Sequence, residues 1–104
     1  MRATKEAILN HLRQIKGDLA KEGILVIGLF GSYAKGEQTV YSDIDIAIGR
    51  NPDFLQKNNA YDYFGLIDRI KENTRKKFHR NVDVFDLSSA SEFAESIQKE
   101  TIYV

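Results

Sequence analysis

Residues Leu29–Ile48, LFGSYAKGEQTVYSDIDIAI, decide how the rest of the chain is read. An apolar run closes on Gly31-Ser32, a polar turn follows, and a second apolar run opens with Asp43 and Asp45 one residue apart. Side chains alternate faces along a strand, so Asp43 and Asp45 share one face, with Cα atoms roughly 6–7 Å apart. A carboxylate in a sheet core is unfavourable unless its charge is compensated. A second one beside it raises the pKa of both. The usual compensation is a cation.

Outward from this stretch, the chain alternates helical and strand signals. Thr4 is an expected N-cap, and Ile8, Leu12, Ile15 and Leu19 follow at amphipathic helical spacing, with Gly23 as the stop. ILVIGLF, residues 24–30, is a continuous apolar run rich in branched residues and reads as a buried strand. GSYAKGEQ is a turn that can open one helical turn, and DIDIAI, residues 43–48, is a second strand. Pro52 breaks the chain before a long helix over Ala60–Phe78. VDVFDL, residues 82–87, is a third strand, and Ser89 with Glu92 has capping-box spacing for a last helix to about Lys99. The expectation is an α/β fold in which a small mixed sheet packs against helices, forming one domain over residues 1–104.

Composition narrows the function. Fifteen basic and fifteen acidic residues leave no net charge, against a stand-alone nucleic-acid binder. There is no cysteine, hence no disulfide framework and no thiolate metal site. No apolar run approaches the roughly 20 residues of a membrane span, and the N-terminus does not read as a signal peptide. A cytoplasmic protein without a membrane partner is expected.

The chemistry lies in three carboxylates and a glycine turn. Asp43 and Asp45 can reach one divalent ion together, or bridge two ions about 3.5–4 Å apart. Oxygen-only ligands favour Mg²⁺ or Mn²⁺, and magnesium is commonly completed by substrate phosphates. Gly31 lets the backbone approach a ligand closely, and Ser32 adds a hydroxyl where a helical turn would present free N–H groups to phosphate. In-line displacement on two metals needs a third acid. VDVFDL offers Asp83 and Asp86, which face opposite sides; Asp83 sits within the apolar alternation and is the candidate, while Asp86 reads as a solvated or capping acid at the strand end.

Each feature has a plainer reading when taken alone. A Gly-Ser turn is common, and a D-x-D is commonly a pair of solvated acids. It is their combination with a later acid that points to phosphate and metal. The basic run RIKENTRKKFHR, residues 69–80, reads as the solvated end of a helix, where cations favour the dipole. His11 and His79 read as surface residues, and Tyr33 and Tyr41 as packing residues.

Gly31-Ser32, ten intervening residues and Asp43-x-Asp45 resemble the G-S-x10-D-x-D signature of the minimal nucleotidyltransferases, the MNT proteins. These belong to the superfamily of DNA polymerase β and kanamycin nucleotidyltransferase. The resemblance extends to the third acid in NVDVFDL; Lys35 departs from an arginine frequent in the motif. It implies a polymerase β-like fold, ATP or another NTP as substrate, Mg²⁺ (two ions, with Mn²⁺ as substitute), and transfer of a nucleoside monophosphate with release of pyrophosphate. Carried over, Gly31 and Ser32 would hold phosphates, Asp43 and Asp45 both metals, and Asp83 the catalytic metal. Many MNT proteins are antitoxins paired with a HEPN-domain ribonuclease toxin, and such members are thought to transfer AMP from ATP to a toxin tyrosine, as in type VII-like toxin–antitoxin pairs. With no acceptor-binding domain expected in 104 residues, the other half of the site would come from a second protein or another copy of the chain. The competing readings are an antitoxin that blocks its toxin by contact alone, and the catalytic subunit of a small-molecule nucleotidyltransferase.

Overall fold

The computed structural model describes residues 1–88 and 91–104. The chain runs α1 (Lys5–Lys21), β1 (Ile24–Phe30), α2 (Gly31–Lys35), β2 (Ile44–Arg50), α3 (Phe54–Lys57), α4 (Ala60–Phe78), β3 (Val82–Asp86), α5 (Glu92–Glu100) and β4 (Ile102–Tyr103). Four strands form one sheet in the order β3-β2-β1-β4. β1 pairs antiparallel with both β2 and β4, and β2 pairs parallel with β3 across the α4 connection. The sheet is therefore mixed, as expected.

The helices begin where local chemistry starts them. The Thr4 side chain accepts from the Ala7 N–H at 3.1 Å. Asn59 and Asp62 form a reciprocal capping box at the start of α4. α5 is capped by Ser91, whose side chain accepts from the Ala94 N–H at 3.0 Å; the expected cap, Ser89, lies outside the described residues. The 31–35 stretch closes one helical turn and ends on Gly36, whose φ of 72° is the left-handed conformation that glycine adopts readily.

Packing makes the two sheet faces unequal. Ile44, Ile46 and Ile48 of β2 join Ile27 and Leu29 of β1 in the main core under α1 and α4, with Leu12, Ile70 and Phe78. Each such buried aliphatic side chain contributes roughly 1.5–3 kcal/mol. The opposite face carries a smaller cluster of Ala47, Leu87 and Ile97, flanked by Phe30 and Phe85, so α5 covers only part of it. Asp45 alternates with Ile44 and Ile46, which puts it on this second, less covered face.

Two side-chain expectations are corrected. His11 is buried, not on the surface: Nε2 shares a hydrogen bond of 2.9 Å with Thr74 Oγ1, and the ring packs edge-on against Phe78. It pins α1 to α4, and burial, with Lys77 nearby, lowers its pKa. Tyr33 is buried as expected, but Tyr41 is 91 % exposed and packs no core. His79 is exposed, and ends α4 with a left-handed φ of 56°.

Candidate active site

β1 ends, and β2 and β3 begin, at the same edge of the sheet. In register, Phe30 of β1 faces Asp45 of β2, and Asp45 faces Asp83 of β3. Adjacent strands lie about 4.8 Å apart, so Asp45 and Asp83 are lateral neighbours on one face. Asp43 stands just before β2, where the Ile44 N–H already donates to Asn81 O at 2.9 Å. The strand thus starts one residue later than expected, without separating Asp43 from its partners: Asp83 and Asp43 both act on the Asp45 carboxyl.

Gly31 is shaped around that carboxyl. Its φ is +76°, and a β-carbon there would overlap the Asp45 carboxylate, with Asp45 Cγ only 3.0 Å away. The Gly-Ser turn and the D-x-D strand are therefore in direct contact, and only a residue without a side chain fits between them. Ser32 follows, half-buried, with Glu37 N–H closing back onto its carbonyl at 2.9 Å.

Burial pushes the Asp45 pKa up to about 6, assisted by the charges of Asp83, Asp43 and Glu100. Such a group is half-protonated near pH 6, and a cation among these acids would favour its charged form. Three hard oxygen donors clustered in mutual repulsion fit Mg²⁺ or Mn²⁺ in chemistry. Among the described residues no group of three or more His, Cys, Asp or Glu is arranged to hold a metal ion.

Two features were not foreseen. Glu100, at the end of α5, adds a fourth acid to the field on Asp45 and pairs with Lys35 Nζ at 3.2 Å. Nothing in its sequence position signals this, because only tertiary packing brings α5 against α2. A hollow of about 410 Å³ also opens beside Asp43, lined by Tyr41, Arg75, His79 and Arg80 among others. Part of the basic run thus flanks the acids, although Arg75 pairs with Glu72 at 2.9 Å and Arg80 donates to Val40 O at 2.6 Å.

Asp86 takes no part in this cluster. It faces α4, accepting 2.6 Å from the Tyr63 hydroxyl and 2.8 Å from the Ser88 N–H, with Arg50 at 3.4 Å. The Arg50 guanidinium lies over the Tyr63 ring, 5.3 Å from its centroid. Burial and the bond to Asp86 push the Tyr63 hydroxyl above its ordinary pKa. Asp86 is not solvated: it caps the strand end through the Ser88 N–H, as the capping reading expects, and also anchors a side-chain network with Tyr63 and Arg50.

The chain matches the family model "Polymerase beta, Nucleotidyltransferase" over residues 13–104. A "Putative protein adenylyltransferase" of Methanocaldococcus jannaschii is 34% identical over 106 residues, covering 96% of this chain and 93% of that protein. A second of the same name and organism is 38% identical over 69 residues, 64% of this chain and 77% of its own length. Among solved structures, a "putative minimal nucleotidyltransferase" superposes with a TM-score of 0.71 at 21% identity, covering 96% of this chain and 95% of its own. A toxin–antitoxin crystallised with AMP-PNP superposes with a TM-score of 0.60 at 25% identity, over 97% of this chain and 72% of its own. The chain belongs to the polymerase beta nucleotidyltransferase family, and its fold is that of the family's minimal members.

Proposed function

We propose that this protein transfers AMP from ATP to a hydroxyl of a partner protein, a tyrosine of a HEPN-domain toxin, and so acts in the cytoplasm as the antitoxin of a type VII-like pair. The observation that carries the reading is the fit of the acid cluster to the turn: Asp45, flanked by Asp43 and Asp83, lies directly against Gly31. The adenylyltransferase relatives and the toxin–antitoxin neighbour support the substrate and the kind of partner.

In this reading Gly31 lets the turn close against the Asp45 carboxylate, and the Ser32 hydroxyl and the backbone of the turn donate to triphosphate oxygens beside it. Asp43 and Asp45 would hold two Mg²⁺ ions and Asp83 one of the two. When bound, the ions neutralise phosphate charge and make the acceptor hydroxyl more acidic. Asp83 lies at the sheet edge, exposed, where a large acceptor has access, and its carboxylate orients the incoming hydroxyl. The acceptor oxygen bonds to the α-phosphorus as the bond to pyrophosphate breaks, and the hydroxyl proton passes to Asp83 or water. No helix among the described residues is long and apolar enough to cross a membrane, compatible with a cytoplasmic setting.

Incubation with ATP labelled at either the α- or the γ-phosphate tests the reaction. Label from the α-position alone should appear on the partner toxin. Label from the γ-position would mean phosphoryl transfer, and no label from either would mean that this pair is not enzyme and substrate.

A further inference from the structure

β3 is the outermost strand on its side of the sheet. Its parallel ladder with β2 is bracketed by the Ile44 N–H to Asn81 O bond of 2.9 Å and the Leu87 N–H to Ile48 O bond of 2.7 Å. Backbone groups alternate in direction along a strand, so those of Asp83 and Phe85 go to β2 and those of Val82 and Val84 point away from the sheet. An edge of this kind is a template for another strand.

The walls beside the edge carry aromatic and aliphatic side chains among charged ones, Asp68 and Lys71 included. A cleft of about 320 Å³ between α4 and β3 is lined by Phe64, Ile67, Lys71, Val84 and Phe85 among others. Phe64 is 64 % exposed. On the other face Phe93, 63 % exposed, stands edge-on to Phe85 with ring centroids 5.1 Å apart. Asp83 shares the face of Phe85, one alternation away.

We propose that the edge of β3 is the acceptor-docking site: an extended segment of the acceptor protein pairs with the backbone of Val82 and Val84, and so sets its hydroxyl beside Asp83. Side chains directly opposite across a strand pair lie about 4.5–5.5 Å apart. A residue opposite Asp83 therefore reaches the carboxylate cluster. Its neighbour one residue along turns into the cleft at Phe64 and Ile67, and the next meets Phe85 and Phe93. For a segment running parallel to β3, the favoured acceptor is a hydroxyl residue followed by two apolar residues. Two residues before the hydroxyl, on the face that it shares, the acids Asp43, Asp45, Asp83 and Glu100 call for a basic residue rather than an acidic one. The inference rests on the adenylyl-transfer reading of the same site.

The probes are two synthetic nonapeptides with lysine two positions before a central tyrosine. One carries isoleucine at the next two positions and the other aspartate. With the isotope-labelled full chain, the isoleucine peptide should shift the Val82 and Val84 amide resonances and slow their exchange, and the aspartate peptide should not. Val84→Pro removes an N–H that β2 does not use, and Phe93→Ala removes a largely exposed wall together with its edge-on contact to Phe85. Each should weaken peptide binding at least tenfold, with Phe93→Ala still melting like the wild type. Equal response to both peptides, or undiminished binding by both variants, overturns the proposal. So does exchange protection of Val82 and Val84 in peptide-free protein that grows with concentration, since a second copy would then hold the edge. Peptide bound at the edge without AMP transfer upholds the docking site and removes the enzyme reading. Transfer to the peptide at equal KM in wild type and variants does the reverse.

Discussion

Asp45 and Asp83 are direct register partners on adjacent parallel strands, and Asp45 is also the residue against which Gly31 has no room for a side chain. One carboxylate thus touches both halves of the motif. Its pKa of about 6 records the consequence: folding buries this carboxyl, and crowds other acids against it, before any cation is present.

Metal-free stability should show this crowding. Because folding raises the Asp45 pKa from 3.8 to about 6, the folded state holds the proton more tightly. Stability is fully present below the lower value and falls as pH rises through the higher one. Linkage limits the loss to about 3 kcal/mol, and solvent screening of a half-exposed carboxylate reduces it to about 1 kcal/mol. Asp45→Asn should therefore melt several degrees above wild type in chelator at pH 7.5, with the gap closing near pH 4. A variant that melts lower at pH 7.5 would remove electrostatic crowding from the account.

Gly31→Ala should damage fold and activity together. The left-handed φ and the overlap with the Asp45 carboxylate cost roughly 1–3 kcal/mol. Melting should fall and transfer be lost, and a variant with wild-type melting and transfer would mean the two motifs do not meet.

Ser32→Ala should separate binding from folding. Removing one hydroxyl donor costs roughly 0.5–1.5 kcal/mol for a neutral bond and up to about 3 kcal/mol to a charged phosphate. The melting curve should be nearly unchanged while ATP use falls. Equal activity would reduce the turn to a connection.

Thr74→Val should destabilise by about 1–3 kcal/mol, since it leaves buried His11 without its hydroxyl partner. The lowered His11 pKa gives a stabilising contribution that is present above pH 6.5 and is lost as pH falls, because the unfolded chain takes the proton more readily. Denaturant titration at pH 7.5 measures the cost, and an unchanged midpoint would show the bond to be dispensable.

Much of this architecture was legible in the residues. The branched run 24–30 forms its strand, although Leu25 and Val26 are exposed rather than buried, and the alternation around Asp45 and the parity separating Asp83 from Asp86 depend on local periodicity that the strands keep. His11 also had a signal: it falls three residues after Ile8, inside the helix's apolar stripe, where a surface reading ignores the spacing. β4, two residues long, is too short to show any period. The Lys35–Glu100 pair and the exposure of Tyr41 depend on which elements meet in space, which no local pattern encodes.

The central claim, catalysis rather than contact, turns on Asp83→Asn. The substitution keeps volume, removes one charge at an exposed edge position, and relieves repulsion on Asp45, so the fold should be unharmed. The measurement is co-expression with the partner toxin, with the intact mass of the toxin and cell survival read together. The account predicts that the variant still co-purifies with the toxin but leaves it without AMP and lethal. Full protection by Asp83→Asn, with no mass added to the toxin, would contradict it.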